Sequence, residues 1–344
     1  MGRLAELRLA MATSVYLVVF IFALFLSAIM LILQLSIVYA LIGTIIFIFV
    51  QYLVGPVMVK SSTRLRYLER GENPWLEGTV KELVDKAGLP MPKLAIVPDK
   101  TPNAFVFGRT AKSAILAVHE GLLLNLNKDE VKAVISHELG HLKHKDYIVI
   151  TVLSALPLIA YLIARATWEA GRLAPSSKKK EEGSIKAAFF AVAIISYIVY
   201  IVSLLCVMGL SRLREHYADA YSAYLTGSPR SLQSALAKIT YGLSLSPQPP
   251  SGARAFYIGD PAMAKLEISS IIAKKEEYDL DRDGVLDERE LELAMEKEAK
   301  STWAKINTWF STHPPTFKRI LLLREIAHEM ESGRYTVDRV YAYI

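Results

Sequence analysis

Long uncharged blocks alternate with polar stretches along this chain, and the blocks are long enough to be membrane helices. Residues 9–33 and 34–59 carry no charged side chain, and only a short link around residues 34–36 separates them. About 20 apolar residues cross the hydrocarbon core of a bilayer as a helix. The pattern therefore predicts an N-terminal transmembrane hairpin over residues 9–59. A cleaved signal peptide is disfavoured, because the first block is too long and no clear small-residue cleavage site follows it.

Two further apolar blocks lie at residues 147–164 and 187–210. If both cross the membrane, the polar loop at residues 165–186, with six Lys or Arg, faces outward against the positive-inside rule. If neither crosses, they form a hairpin that packs on the aqueous part of the chain or inserts halfway. The second block is long and uninterrupted, which favours crossing. We therefore expect a second transmembrane hairpin over residues 147–210.

The rest of the chain is polar enough to form an aqueous domain in two pieces, residues 60–146 and 211–344. We expect helices over residues 61–70 and 77–87, the second ended by Gly88 and Pro90. Short aliphatic and β-branched runs typical of strands lie at residues 93–97, 104–107 and 114–118. The expected fold is therefore that of a mainly α-helical membrane protein with a small β-sheet and up to four transmembrane helices.

Composition and charge agree with this division. Of the 344 residues 52% are hydrophobic, the mean hydropathy is +0.29, and the formal net charge is +6. Cys206 is the only cysteine, so a disulfide-stapled secreted domain is excluded. Lys and Arg cluster at the outer ends of the first hairpin, which places that side in the cytoplasm by the positive-inside rule. The same basic segments favour an anionic lipid surface over nucleic acid as the partner of this basic chain.

One helix of the aqueous domain carries candidate metal ligands. Asn127 with Glu130 three residues later forms a capping-box pattern that opens a helix over residues 131–143. His137 and His141 lie four residues apart on one face of that helix, the spacing with which two imidazoles chelate one ion. Glu138 comes round beside the metal, where it can accept a proton from bound water. Chance occurrence of this pattern is the alternative, but polar groups in so apolar a helix need partners.

A catalytic zinc site needs a third protein ligand. Glu215 and Asp219 follow the fourth apolar block and lie four residues apart on one helical face, so Glu215 is the candidate ligand. Asp219 is then expected to accept a hydrogen bond from the far nitrogen of a ligating histidine. His144 is an alternative ligand, but it stands between two lysines near the predicted membrane and is interpreted as a flanking polar residue. Solvated charges on an exposed helix are the alternative for the segment that contains Glu215.

Four segments together resemble the HtpX-type membrane-embedded zinc metalloproteases, which are related to the CAAX prenyl proteases. They are residues 103–108 (Asn-Ala-Phe-Val-Phe-Gly), 137–141 (His-Glu-Leu-Gly-His), 211–219 (Ser-Arg-Leu-Arg-Glu-His-Tyr-Ala-Asp), and 311–315 (Ser-Thr-His-Pro-Pro) with Arg319. They run in the family's order from about residue 60 to 320, and the N-terminal hairpin matches too. The resemblance implies a zincin-type, gluzincin-like catalytic domain.

The resemblance also implies roles for particular residues. His137, His141 and Glu215 would ligate one zinc ion, and Glu138 would be the general base. Extended substrate would add to an edge strand that includes Asn103, Ala104 and Phe105. His313 would approach the cleft and help to stabilise the oxyanion, although a His-Pro-Pro turn can also be purely architectural.

The expected function is therefore that of a multi-pass membrane endopeptidase that hydrolyses cytoplasmic or membrane-proximal proteins, misfolded ones included, in protein quality control. Because His141 and Glu215 must meet at one ion, the chain between them crosses the bilayer an even number of times, which puts the site on the cytoplasmic side. The expected partners are polypeptides, membrane proteins among them, and the lipid bilayer. A CAAX-type prenyl protease would normally need more spans, and Glu138 disfavours a metal-responsive scaffold without catalysis.

A second metal pattern lies in the C-terminal piece, in an EF-hand-like insertion at residues 263–305. Residues 279–290 fit the twelve-residue EF-hand loop at every position, with helical runs expected at residues 265–277 and 288–305 on either side. The loop predicts a site for Ca²⁺, or Mg²⁺; a solvated acidic turn is the alternative. The predicted ligands are Asp279, Asp281, Asp283, Val285, Asp287 and Glu290.

Overall fold

The computed structural model of the protein describes residues 3–32, 36–174, 180–245, 257–282, 288–298, 311 and 313–332. They divide into two compact units, one of which is built from Leu9–Val54 and Ile148–Leu210. The other contains the described residues of Met1–Arg8, Gly55–Tyr147 and Ser211–Ile344. We call them the apolar unit and the aqueous unit. Most residues in both units are helical.

The described elements are, in chain order, α1 (Arg3–Ile32), α2 (Ile37–Thr63), β1 (Arg66–Tyr67), α3 (Pro74–Ala87), β2 (Lys93–Val97), β3 (Ala104–Phe107), β4 (Ile115–His119), α4 (Glu120–Asn125), α5 (Lys128–Lys143), α6 (Asp146–Leu173), α7 (Lys180–Thr226), α8 (Pro229–Leu245), α9 (Pro261–Ile272), α10 (Lys275–Tyr278), α11 (Glu288–Glu298) and α12 (Thr316–Glu331).

The apolar unit is made of parts of α1, α2, α6 and α7. Each of these helices is long and apolar enough to cross a membrane, so each of the four predicted apolar blocks overlaps a candidate span. Their shared core is built from large aliphatic and aromatic side chains. It includes Val18, Phe22, Phe25, Leu26, Ile29, Leu153, Leu156, Val192, Val207 and Leu210.

One polar contact joins two helices inside this unit. The side-chain amide of Gln51 in α2 donates to the Thr151 carbonyl and lies 3.3 Å from the Ser154 hydroxyl, both in α6. Polar groups away from water need such partners. The contact therefore helps to fix α2 against α6.

The aqueous unit contains a small mixed sheet with the strand order β1-β2-β4-β3. β2 and β4 run parallel, while β1 and β3 pair antiparallel at the two edges. The main hydrophobic core contains side chains from this sheet and from helices α3, α5 and α8. The three predicted strands are thus confirmed, and α5 packs against the edge strand β3.

The predicted helix over residues 61–70 is wrong. Helix α2 continues to Thr63, and Arg66–Tyr67 then pairs with β2 as strand β1. Main-chain hydrogen bonds to an existing strand outweigh the local helical periodicity of this basic segment. The helix predicted over residues 265–277 is also divided, because a turn at residues 273–274 separates α9 from α10.

Helix α5 begins as predicted at a capping box. The Asn127 side chain accepts from the Glu130 N–H, and the Glu130 carboxylate accepts from the Asn127 N–H. Glu130 is also bound by Lys238 and Ser234 of α8. The N-terminal end of α5 is therefore held both by its own cap and by a neighbouring helix.

Gly140 allows α5 to approach α7 closely. A Cβ atom at this position would lie 3.1 Å from the Ala218 Cα and 3.4 Å from the Tyr221 ring. We expect Gly140→Ala to lower the free energy of unfolding by about 1–3 kcal/mol through overpacking. Gly78→Ala is the matched control, because a Cβ there meets nothing within 4 Å; it should be neutral or stabilising by up to about 1 kcal/mol. Denaturant unfolding of both variants in detergent checks the prediction, and equal effects would contradict it.

Candidate metal centre

Three parts of the aqueous unit bring polar side chains together at one buried point. Helix α5 contributes His137, Glu138 and His141, and α7 contributes Glu215 and Asp219. The chain from residue 311 into α12 contributes His313 and Arg319. The side chains of His137, Glu215, Asp219, His313 and Arg319 are at most 7% exposed, Glu138 is 4% exposed as a residue, and the His141 side chain is 18% exposed. Buried polar groups in such number indicate a functional centre.

The candidate ligand atoms form a small triangle. The Nε2 atoms of His137 and His141 are 3.1 Å apart, and they lie 3.5 and 3.4 Å from the two carboxylate oxygens of Glu215. Ligands about 2.1 Å from one tetrahedral zinc ion are about 3.4 Å from each other. The three side chains are therefore spaced as ligands of one ion would be.

Each histidine presents its other nitrogen to an aspartate. The Nδ1 atom of His137 lies 2.9 Å from Asp219 Oδ1, and the Nδ1 atom of His141 lies 2.7 Å from Asp146 Oδ2. The prediction for Asp219 named it as such a partner, whereas Asp146 had no predicted role. A carboxylate behind a ligating imidazole fixes its tautomer and orients the ring.

Arg319 pairs with Asp219, and its Nη2 atom lies 3.4 Å from the ring nitrogens of His137. Its Nε and Nη2 atoms donate to the two Asp219 oxygens at 2.8 and 2.7 Å, which is a bidentate contact. It also donates to the Ile258 carbonyl and lies 3.5 Å from Glu215. Arg319 was predicted only as part of a family pattern, because no local spacing links it to a partner 100 residues away.

The electrostatics of the centre suit a divalent cation. Four buried carboxylates, Glu138, Asp146, Glu215 and Asp219, face two buried guanidinium groups, Arg214 and Arg319, an excess of two negative charges when all are ionised. Burial opposes protonation of His141, but nearby carboxylates outweigh it and raise the pKa of His141 to about 9. A metal ion would replace that proton. The donor set therefore fits a metal ion.

Glu138 stands beside the triangle. Its carboxylate accepts a hydrogen bond from the Val106 N–H of β3 at 3.0 Å, and burial raises the pKa of the carboxyl group. One oxygen of the Glu138 carboxylate lies within 4.8 Å of a ring nitrogen of His137 and of a ring nitrogen of His141. Glu215, in contrast, presents an oxygen to each imidazole Nε2. This difference favours Glu215 as the ligand and Glu138 as a proton acceptor.

His313 also approaches the Glu215 carboxylate. Its Nδ1 atom is 3.3 Å from Glu215 Oε2, and the ring is 5% exposed. Within the described part of the chain its Nε2 atom has no hydrogen-bond partner. The turn is held at both ends: Ser311 accepts from the His313 N–H, and Glu267 accepts from the Thr316 N–H. His313 therefore has a nitrogen available beside the cluster.

The residues predicted to bind substrate lie at the edge strand. Ala104 and Phe105 belong to β3, whose described partner is β4 alone, while Asn103 comes just before it. The Asn103 side chain accepts from the Ile258 N–H, and the Phe105 ring lies in a hydrophobic cluster. All three side chains are buried. Main-chain groups of the strand are thus the ones that could pair with a peptide.

His144 does not join the cluster. Its ring packs edge-on against Tyr217, with centroids 4.3 Å apart, and burial lowers its pKa to about 4. The ring is therefore part of the packing between α5 and α7. Its sequence position beside Lys143 and Lys145 gave no sign of this packing.

The EF-hand-like loop is described only in part. Oxygen atoms of Asp279, Asp281 and Glu290 lie within 4.8 Å of one another. Glu290 accepts from the Leu280 and Asp281 N–H groups. The predicted ligands Asp283, Val285 and Asp287 lie outside the described residues.

An HExxH helix that meets carboxylates and one histidine from other segments, in a chain with four candidate spans, is the arrangement of a membrane-embedded metallopeptidase. The chain belongs to peptidase family M48, because the model of that family matches residues 70–327. This confirms the membership that the sequence motifs indicated.

Individual relatives agree. A protease HtpX homologue of Aeropyrum pernix is 34% identical over 280 residues, which cover 81% of this chain and 83% of the relative. One from Thermococcus sibiricus is 34% identical over 286 residues, or 82% and 84% of the two chains. Among solved structures, Ste24p of S. mikatae matches with a TM-score of 0.46 and 19% identity, over 92% of this chain and 64% of that one.

Proposed function

We propose that the protein is a membrane-bound zinc endopeptidase in which His137, His141 and Glu215 hold the metal. The proposal rests on the triangle formed by the two Nε2 atoms and the Glu215 carboxylate, with edges of 3.1 to 3.5 Å. Two imidazoles and one carboxylate are a ligand set of catalytic zinc sites that leaves a position for water. Family membership supports the same conclusion, since M48 proteins are peptidases.

We propose Glu138 as the general base. A zinc ion in this site would polarise the scissile carbonyl and lower the pKa of a bound water to about 7. Glu138 then accepts the proton of the attacking water and returns it to the leaving amine. The Val106 N–H holds one carboxylate oxygen at 3.0 Å, which fixes the direction of the group. Burial raises the pKa of the Glu138 carboxyl group, which favours its acceptance of a proton.

His313 and the edge strand complete the proposed site. His313 is buried 3.3 Å from Glu215, with its Nε2 atom available to donate to the developing oxyanion. An extended substrate adds to β3 through main-chain hydrogen bonds near Asn103, Ala104 and Phe105. Because Val106 of the same strand holds Glu138, a peptide on β3 lies next to the general base.

The proposed substrates are cytoplasmic or membrane-proximal polypeptides, misfolded membrane proteins included. The support is the relatives' description as HtpX proteases and the four candidate spans. Lys and Arg at the ends of the N-terminal hairpin support a multi-pass topology with the site facing the cytoplasm.

Metal removal tests the zinc endopeptidase directly. We expect the purified full-length protein in detergent to cleave casein, to lose this activity in a zinc chelator, and to regain it with added Zn²⁺ but not Mg²⁺. Casein carries no prenyl group, so its cleavage also separates a general endopeptidase from a strict prenyl-protein protease. Cleavage that persists in the chelator would contradict the proposal.

We also propose that residues 279–290 bind Ca²⁺ with modest affinity, with a dissociation constant of about 10⁻⁴–10⁻³ M as in weak EF-hand modules. The support is the complete loop pattern and the proximity of Asp279, Asp281 and Glu290. Calorimetry on the full chain should show Ca²⁺ uptake that Asp279→Asn/Asp281→Asn abolishes and that Glu325→Gln, an exposed carboxylate elsewhere, leaves unchanged. No heat at millimolar Ca²⁺ would refute it.

A further inference from the structure

The second histidine of the cluster has a buried ion pair behind it that the proposed mechanism does not use. Asp146 Oδ2 lies 2.7 Å from His141 Nδ1, and Arg214 donates to the other Asp146 oxygen. We propose that Asp146 and Arg214 form a positioning pair that sets the tautomer and orientation of His141 for metal binding. This inference rests on the proposed role of His141 as a ligand.

The chemistry of the pair leaves one tautomer for the imidazole. An ionised carboxylate only accepts hydrogen bonds, so the contact at 2.7 Å requires a proton on His141 Nδ1. The lone pair of the neutral ring is then on Nε2, the atom that lies 3.1 Å from His137 Nε2 and 3.4 Å from Glu215. Asp146 thus turns the correct nitrogen toward the metal position.

Arg214 holds the carboxylate in place. Asp146 is 7% exposed and Arg214 is 4% exposed, so solvent does not compete strongly for either group. The same guanidinium nitrogen, Nη2, also donates to the His144 carbonyl at 3.0 Å. Arg214 therefore fixes two points of the short link between α5 and α6, and through Asp146 it fixes the His141 ring.

The backbone of this link brings Asp146 back to the helix that carries His141. Helix α5 ends at Lys143, and Lys145 adopts the left-handed region with φ 58°. Such a conformation in a non-glycine residue costs free energy and persists only where the surroundings require it. The reversal makes Asp146 the first residue of α6, where the helix dipole favours a carboxylate.

The arrangement repeats, with different residues, the one at the first histidine. His137 is backed by Asp219 and Arg319, whereas His141 is backed by Asp146 and Arg214. Helix α7 supplies one member of each pair as well as Glu215, which lies next to Arg214 in the chain. Each histidine is therefore backed by its own carboxylate–arginine pair, and loss of one pair should weaken the site without removing the other.

The test compares metal affinity in full-length variants. Asp146→Asn removes the acceptor charge, and Asp146→Asn/Arg214→Gln removes both charges so that no buried guanidinium is left uncompensated. Glu130→Gln is the control, because Glu130 lies on α5, the helix that carries His141, and its buried carboxylate pairs with the partly exposed Lys238 outside the cluster. Zinc dissociation constants are measured by competition with a chelator, and the visible spectrum of bound Co²⁺ reports the ligand geometry.

We expect both Asp146 variants to bind zinc about 10–100-fold more weakly and to alter the Co²⁺ spectrum, as for other partners of ligating histidines. Glu130→Gln should match the wild type in both. Wild-type affinity and spectrum in both Asp146 variants would overturn the inference. The inference would also be overturned if Glu130→Gln lost as much zinc affinity as the Asp146 variants and if these losses followed lower unfolding midpoints of the metal-free proteins. Asp146 would then act only in folding.

His141→Ala separates this inference from the proposed function. If His141→Ala loses zinc while both Asp146 variants keep it, the metal site stands and the positioning pair is wrong. If His141→Ala binds zinc as the wild type does, the proposed site itself is wrong.

Discussion

Replacing Glu138 by glutamine is expected to lower kcat/KM for casein by at least about 10²–10⁴-fold, the range that a general base contributes. Glutamine keeps the shape of the side chain and an oxygen that accepts from the Val106 N–H at 3.0 Å, but it cannot take a proton from water. The ligand atoms of His137, His141 and Glu215 are unchanged. The variant should therefore bind zinc as the wild type does.

The measurement is casein cleavage by wild type and variant at matched zinc content. Glu120→Gln provides a control for loss of a carboxylate, because Glu120 is an exposed residue at the start of α4. Its activity should equal that of the wild type. Substantial proteolysis by pure Glu138→Gln would show that another group activates the water.

Replacing Arg319 by methionine is expected to lower the free energy of unfolding by about 3–5 kcal/mol, the usual cost of leaving a buried charge without its partner. Arg319 is 1% exposed and donates two hydrogen bonds to Asp219, which is fully buried. Methionine fills similar space but leaves the Asp219 carboxylate, which lies near Glu215, without its positively charged partner. The loss should appear as a lower denaturant midpoint in detergent.

Arg230→Met is the matched control, because Arg230 pairs with Glu331 at the surface and its side chain is 73% exposed. Little change is expected there, since exposed ion pairs contribute little. The double variant Asp219→Asn/Arg319→Met should be less destabilised than Arg319→Met alone. An unfolding midpoint of Arg319→Met equal to that of Arg230→Met would show that the pair does not stabilise the centre.

The parts of the site that were predictable are those in which spacing within one helix carries the information. His137 and His141 lie on one face of α5 because they are four residues apart, and the same rule brought Glu215 and Asp219 together on α7. The strands at residues 93–97 and 104–107 were predictable from aliphatic and β-branched runs. Residue type and spacing within one segment determine these elements, so they could be predicted from the sequence.

Other features depend on contacts between distant segments or on unusual backbone. Asp146 is five residues after His141, which is off the ligand face of a helix, and only the left-handed turn at Lys145 returns it. Lysine gives no signal for such a turn, which glycine or asparagine usually supplies. Arg319 meets Asp219 across 100 residues of chain. The wrong helix over residues 61–70 has a similar cause, since pairing with β2 decided its structure.

The most direct test of the account is the zinc content of the purified protein, measured by mass spectrometry for wild type, Glu138→Gln and Glu215→Ala after dialysis. Three protein ligands at one centre predict one tightly bound zinc ion per chain in the wild type and in Glu138→Gln. Glu215→Ala should lose it, because its carboxylate supplies the oxygens 3.4 and 3.5 Å from the two imidazoles. A wild-type complement of zinc in Glu215→Ala, or none in the wild type, would contradict the proposed metal centre.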